Sequence, residues 1–119
     1  MGAAIYDFEI DQGAYWSQLL LWEDQDKNPI DLDGYSAAME IRQNVGDADP
    51  PLVSLTSAPS GGITLGGQDG TILLEIEADV TATLPAYSKC FYDLNLDPGD
   101  GRIKRLIRGV MTVQPEVTR

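Results

Sequence analysis

The chain has 119 residues, of which 43% are hydrophobic and 23% charged, and a formal net charge of −11. A chain of this length is expected to form one domain, residues 1–119, with its own core, and no stretch approaches the ~18 consecutive apolar residues of a membrane-spanning helix. The acidic balance disfavours nucleic acid, because a cationic surface is needed to displace counterions from phosphates. We therefore expect a soluble domain with neither nucleic acid nor membrane as a partner.

The sequence contains no histidine and a single cysteine, Cys90. Histidine is a common general base and metal ligand, and its absence removes the usual Ser-His and Cys-His catalytic arrangements. We predict no enzymatic activity, no catalytic residue and no cofactor. Cys90 has no second cysteine for a disulfide and stands in an apolar strand pattern, so we predict that its thiol is buried.

The first two predicted strands differ in what their faces carry. Residues 6–11 alternate apolar and acidic side chains, which is the period of a strand with one buried face. Residues 15–23 are apolar on both faces, and Leu19 and Leu21 lie on the face opposite to the two tryptophans. A strand of this kind is expected either in the centre of a sheet or beneath a partner subunit.

The connection after the second strand holds the densest group of potential oxygen ligands in the sequence: Asp24, Asp26, Asn28, Asp31 and Asp33. The spacing of the first three matches the opening of a calcium-binding loop. Proline at position 29 stands where such a loop needs its glycine, and Tyr35 stands where it needs a bidentate glutamate. We predict a solvated hairpin loop and no metal site, with calcium as the alternative.

The middle of the chain predicts more short strands separated by loops. Strands are expected over residues 35–43, 52–55, 63–65 and 72–76, and a polar loop over residues 44–51. In the first of these strands Ala37, Met39 and Ile41 share one side. That side is expected to face the core, because its small and apolar side chains alternate with polar ones.

Two short segments connect these strands to the end of the chain. The Gly-Gly-Gln-Asp-Gly sequence of residues 66–70 lacks the lysine and the following helix of a phosphate-binding loop, so it predicts a hairpin connection. Residues 78–84 predict a short helical turn. It is expected to end before Pro85, because proline disfavours helical geometry in the residue that precedes it.

A β-hairpin closes the chain. Residues 92–96 and 103–113 alternate apolar and polar side chains around the Asp-Pro-Gly-Asp-Gly turn of residues 97–101. We interpret the basic residues at this end as a solvated strand face beside acidic neighbours, with a patch that joins identical copies head to tail as the alternative. These basic residues are Arg102, Lys104, Arg105, Arg108 and Arg119.

Together these segments predict an all-β, antiparallel sandwich of about seven to nine strands, with one short helical turn near residues 78–84. The aromatic residues favour core packing, and the alternative is a platform on which sugar rings stack. They are Tyr6, Tyr15, Trp16, Trp22, Tyr35, Tyr87 and Tyr92.

Several stretches of this framework resemble small structural proteins of tailed bacteriophages. They are YDFEIDQGAYW (residues 6–16), LLWED (20–24), PIDLDGY (29–35), GITL (62–65), GTI (70–72), the helical turn at 79–84, YDL (92–94) and GVMTV (109–113). The resemblance is to the immunoglobulin-like β-sandwich domains of tail collar proteins and to the amino-terminal domain of baseplate upper proteins.

The resemblance implies a virion structural protein that is assembled in the bacterial host cytoplasm. It implies a tail-associated module of the collar, baseplate or fibre attachment, which forms a homo-oligomeric ring or cluster and contacts other phage structural proteins. No catalytic, cofactor-binding or metal-binding residue follows from it. Two alternatives stay open: a capsid decoration protein, and a carbohydrate-binding module for host surface recognition.

Overall fold

A computed structural model describes residues 4–44, 51–85 and 89–115, and these residues form nine strands, one short helix and one 3₁₀ turn. The all-β class predicted from the sequence is confirmed. The helix α1 is Ala78–Thr81, and the 3₁₀ turn is Gly67–Asp69. The strands are β1 (Ala4–Ile5), β2 (Phe8–Asp11), β3 (Trp16–Leu21), β4 (Ser36–Arg42), β5 (Val53–Thr56), β6 (Ile63–Leu65), β7 (Thr71–Ile76), β8 (Lys89–Asp97) and β9 (Lys104–Gln114).

The strands form two sheets with an immunoglobulin-like order. One sheet has the order β1-β9-β8-β4-β5, with β2 also paired to β9, and the other has the order β3-β7-β6. In these orders, β9-β8-β4-β5 correspond to the G-F-C-C′ strands and β3-β7-β6 to the B-E-D strands of an immunoglobulin sandwich. The expectation of antiparallel pairing alone is wrong for the first two strands, because β1 and β2 run parallel to β9.

The core lies between the two sheets and follows the predicted alternation. In β4 the side chains of Ala37, Met39 and Ile41 are buried, and the residues between them face outward or are partly covered. In β7 the buried residues are Ile72 and Leu74, together with the last residue of the strand. All of them belong to one hydrophobic cluster. Each large aliphatic side chain buried in this way contributes about 1.5–3 kcal/mol relative to exposure.

The predicted first strand is interrupted between β1 and β2, at Tyr6 and Asp7. The Tyr92 hydroxyl donates a hydrogen bond to the carbonyl oxygen of Tyr6, and the Asp7 carboxylate accepts one, 3.0 Å long, from a backbone N–H of β9. Gly109 in β9 allows this approach: a Cβ there would lie 2.8 Å from the Asp7 carboxylate and closer still to the Tyr6 carbonyl oxygen. The interruption is therefore held by specific contacts with β8 and β9.

The predicted helical turn is present as α1 and is joined to the turn that follows β2. The hydroxyl of Thr81 is fully buried and donates to the carbonyl oxygens of Ala14, 2.8 Å away, and Ala78, 3.1 Å away. The Gln12 side-chain amide donates to the Leu84 carbonyl oxygen at 2.9 Å. In the described parts of the chain no helix is long and apolar enough to cross a membrane.

The two predicted hairpins near the middle and the end of the chain are confirmed. The 66–70 segment connects the antiparallel strands β6 and β7, and Gly70 has a φ of 69°. A Cβ at this position would lie 2.6 Å from the Trp22 carbonyl oxygen, so glycine is required here on two counts. Strands β8 and β9 form the closing hairpin, with a register shift between Leu94 and Asn95.

Candidate functional site

Strand β3 lies at the edge of its sheet, which excludes the central position, one of the two alternatives expected for this segment; coverage by a partner subunit stays a prediction. Among the described residues its ladder is with β7. The strands that could have covered its other edge, β1 and β2, pair with β9 in the opposite sheet. Leu19 and Leu21 point to the outer face of this two-layer sandwich and are 61% and 55% exposed.

The backbone of β3 presents hydrogen-bonding groups along this open edge. The Trp22 N–H donates to the carbonyl oxygen just before β7, at 2.8 Å. Hydrogen-bonded pairs alternate along an antiparallel ladder, so the backbone groups of Ser17, Leu19 and Leu21 point away from β7. The Gln18 side-chain amide makes a long contact of 3.4 Å with the Leu19 carbonyl oxygen, which is consistent with that direction.

A groove of about 520 Å³ lies between β3 and the start of β9. Leu20 and its two leucine neighbours line one side, and Leu106 and Ile107 of β9 line the other. Tyr6, which is held by the contacts at the β1–β2 interruption, also lines it. The groove therefore joins the edge of one sheet to the edge of the other over a mainly apolar surface.

Basic side chains border this groove, and none of the described residues that line it is acidic. The Lys104 ammonium lies 5.4 Å from the centroid of the Trp22 ring, and Arg105 forms an ion pair with Asp93, with Nε 3.2 Å from Oδ2. Arg102 lies 3.8 Å from an acidic neighbour in the hairpin turn. The predicted strand face beside acidic neighbours is confirmed for Arg105, whereas Arg102 lies in the turn before β9 and Arg119 lies outside the described residues.

Most of the aromatic residues pack into or against the core. Tyr92 is 4% exposed, and Trp16, Trp22 and Tyr35 pack against the buried cluster. The rings of Trp22 and Tyr35 meet edge to face with centroids 6.4 Å apart. Core packing, which the sequence favoured over a sugar platform, is confirmed for these four residues. Tyr6 and Tyr15 are about half exposed, and Tyr87 lies outside the described residues.

The acidic loop after β3 uses its carboxylates to hold turns. One oxygen of Asp24 accepts hydrogen bonds from the backbone N–H groups of Asp26 and Asn28, both 2.9 Å long. Asp31 accepts one from the Asp33 N–H, also 2.9 Å long. Across residues 4–44, 51–85 and 89–115 no group of three or more acidic or cysteine side chains could hold a metal ion. An antiparallel bridge between Glu23 and Pro29 confirms that this connection is a hairpin loop.

The thiol of Cys90 is buried within the core, as the sequence predicted. Burial raises the pKa of this thiol above its ordinary value, because the thiolate would lose its hydration. Cys90 therefore acts as a small apolar side chain in β8.

Comparison with known proteins leaves the family open. No protein-family model matches the chain, and no curated protein is significantly similar to it. Among solved structures, one similar chain is from the extracellular domains of the voltage-gated sodium channel beta4 subunit, whose parallel homodimers are described as explaining its role in cell-cell adhesion. It shares 11% identity over 98% of this chain and 97% of its own, with a TM-score of 0.42. No function or partner follows from similarity at this level.

Proposed function

We propose that this chain is a structural assembly module that acts through protein–protein contact, as a tail-associated component of a bacteriophage virion at the collar, baseplate or fibre attachment. The observation that carries the assembly role is the uncovered edge of β3, with Leu19 and Leu21 exposed beside an apolar groove. The virion setting is supported by the sequence resemblance to collar and baseplate domains.

The physical case for a protein partner is that β3 and its groove gain stability when they are covered. Burying one leucine side chain contributes about 1.5–3 kcal/mol, and the two outward leucines of β3 are both more than half exposed. Contiguous apolar surface on a single domain commonly marks an interface. The net charge of −11 keeps free copies in solution by mutual repulsion until a suitable partner binds.

The virion proposal is tested by counting the copies of this protein in purified particles of the phage that encodes it. Quantitative mass spectrometry is expected to find about six to twelve copies, the number in a closed ring or its double. Hundreds of copies would support the capsid decoration alternative instead. Absence of the protein from the particles would contradict a virion role altogether.

The role of the β3 edge is tested with a pair of matched double variants. Leu19→Glu with Leu21→Glu places two charges on the apolar surface and is expected to abolish incorporation into particles. Ser54→Glu with Thr64→Glu adds the same charge at exposed strand positions away from the groove and is expected to incorporate normally. Equal incorporation of both double variants would contradict the role of this edge.

The carbohydrate alternative has less support, because the tryptophan ring that lines the groove is covered by a cation. Trp22 lines the groove, but Lys104 lies over its ring. A sugar bound there is expected to quench tryptophan fluorescence. A saturable change in tryptophan fluorescence on titration with host polysaccharide would favour this alternative over an assembly role.

A further inference from the structure

We infer that the open edge of β3 takes up an extended segment of another protein as an additional strand, and that this segment carries both apolar and acidic side chains. The inference rests on the proposed assembly role and specifies how the contact is made and with what chemistry. It concerns the β3 edge and the groove that continues from it to β9.

The first argument is that β3 lacks the usual protection of an edge strand. Exposed edges in single domains are commonly blocked by charged side chains, proline or bulges. Strand β3 has the sequence Trp-Ser-Gln-Leu-Leu-Leu, with no charge and no proline, and it pairs with β7 in continuous register over all six residues. Ser17, Leu19 and Leu21 direct three N–H donors and three carbonyl acceptors away from β7, and an incoming strand would replace the long 3.4 Å contact of the Gln18 amide with the Leu19 carbonyl oxygen.

The second argument is the shape of the space beside that edge. Six residues of β3 extend over about 20 Å, enough to pair with a segment of similar length. Side chains of such a segment that point inward would meet the apolar surface formed by Leu20, Leu106 and Ile107. Main-chain bonds to β3 and apolar contacts in the groove would therefore form together, as in other cases of strand addition.

The third argument is the charge at the groove, which selects an acidic segment. The chain has only 8 basic residues against 19 acidic ones, yet Lys104 and Arg105 line this groove with no acidic side chain among the described lining residues. Arg105 already pairs with Asp93, so a carboxylate on the incoming segment would be attracted mainly to Lys104. A second copy paired through its own β3 would bring another uncharged strand and another pair of the same cations, so it matches the charge less well.

The inference is tested with a synthetic peptide of four Val-Glu repeats, blocked at both ends. Nuclear magnetic resonance with hydrogen exchange is expected to show saturable protection of the backbone amides of Ser17, Leu19 and Leu21. The same peptide N-methylated at alternate residues keeps its side chains but loses donors, and is expected to give no protection. A peptide of four Val-Lys repeats is expected to bind at least about fivefold more weakly, because its lysines are repelled by the cations that line the groove.

Two pairs of variants separate the contributions of the backbone and the charge. Leu19→Pro removes an N–H that points away from β7. It is expected to weaken peptide binding about tenfold, because one main-chain hydrogen bond to the peptide is lost and the adjacent ones are weakened. Leu19→Ala keeps that N–H and is the control. Lys104→Glu is expected to weaken binding about fivefold, and Lys89→Glu makes the same charge change on another strand.

The results distinguish strand addition by an acidic partner, pairing with a second copy, and an assembly role without strand addition. No amide protection by the Val-Glu peptide, or equal binding of the N-methylated peptide, would overturn strand addition. Protection of the same amides by raising the protein concentration alone would overturn an acidic partner in favour of a second copy. If the Val-Glu peptide does not bind, but Leu19→Glu with Leu21→Glu still prevents incorporation into particles, the assembly role stands without strand addition. If the peptide binds but the particles lack the protein, the virion role fails and the edge site stands.

Discussion

Gly109 is the position where one methyl group is expected to disturb both the fold and the candidate surface. It lies within β9, opposite Tyr92 of β8, at the point where the chain passes from β1 to β2. A Cβ in Gly109→Ala would lie 2.8 Å from the Asp7 carboxylate and closer still to the Tyr6 carbonyl oxygen. Both distances are below ordinary van der Waals contact, so Tyr6 has to move.

The magnitude follows from the hydrogen bonds that this movement breaks. The Tyr92 hydroxyl donates to the Tyr6 carbonyl oxygen, the Tyr6 N–H donates to Arg108 at 2.9 Å, and Asp7 accepts from β9 at 3.0 Å. At about 1 kcal/mol for each bond, loss of all three costs about 3 kcal/mol. For a domain of this size that corresponds to a fall in Tm of roughly 12 °C.

Urea unfolding followed by tryptophan fluorescence measures this cost, with Gly34→Ala as the control. Gly34 has a φ of 83°, and no other atom lies within 4 Å of the place that an added methyl group would occupy, so alanine there costs about 1 kcal/mol from backbone geometry alone. Gly109→Ala is expected to be the more destabilising variant. A Gly109→Ala protein within 0.5 kcal/mol of the wild type, or more stable than Gly34→Ala, would refute the close approach at Tyr6.

Three further predictions address buried polar groups. Burial, followed by Asp7 and Tyr6, raises the pKa of the Tyr92 hydroxyl. The stabilisation that the Tyr92 hydroxyl gives is therefore complete below a pH of about 10, the pKa of tyrosine in the unfolded chain, and it is lost as the pH rises above that value. The urea midpoint should fall more steeply from about pH 8 to 11 for the wild type than for Tyr92→Phe. Thr81→Val leaves carbonyl groups without their donor and should cost about 1–3 kcal/mol in urea unfolding; an unchanged midpoint would contradict the bonds from α1. Cys90 should react with a thiol reagent at least about a hundredfold faster in 8 M urea than in the native state; equal rates would contradict its burial.

Local patterns in the sequence are enough to identify most of the strands and the buried face of each. In β4 and β7 every second side chain is apolar, and these are the side chains that the structure buries. The closing hairpin was equally predictable, because its turn residues and its alternation lie within one continuous segment. Backbone period and turn chemistry are local properties, so these features need no knowledge of the rest of the chain.

Which strands are neighbours, in contrast, became clear only from the three-dimensional arrangement. Residues 15–23 were apolar on both faces, a pattern that suits a central strand as well as a covered edge, and only the pairing of β1 and β2 with β9 leaves β3 uncovered. The interruption at Tyr6 likewise depends on Gly109 and Tyr92, which are distant in sequence. The alternation of side chains indicates which face of a strand is buried, whereas the order of the strands depends on pairing between residues that are distant in sequence. The groove exists because β3 and β9, which lie near opposite ends of the chain, come together at the edges of their sheets.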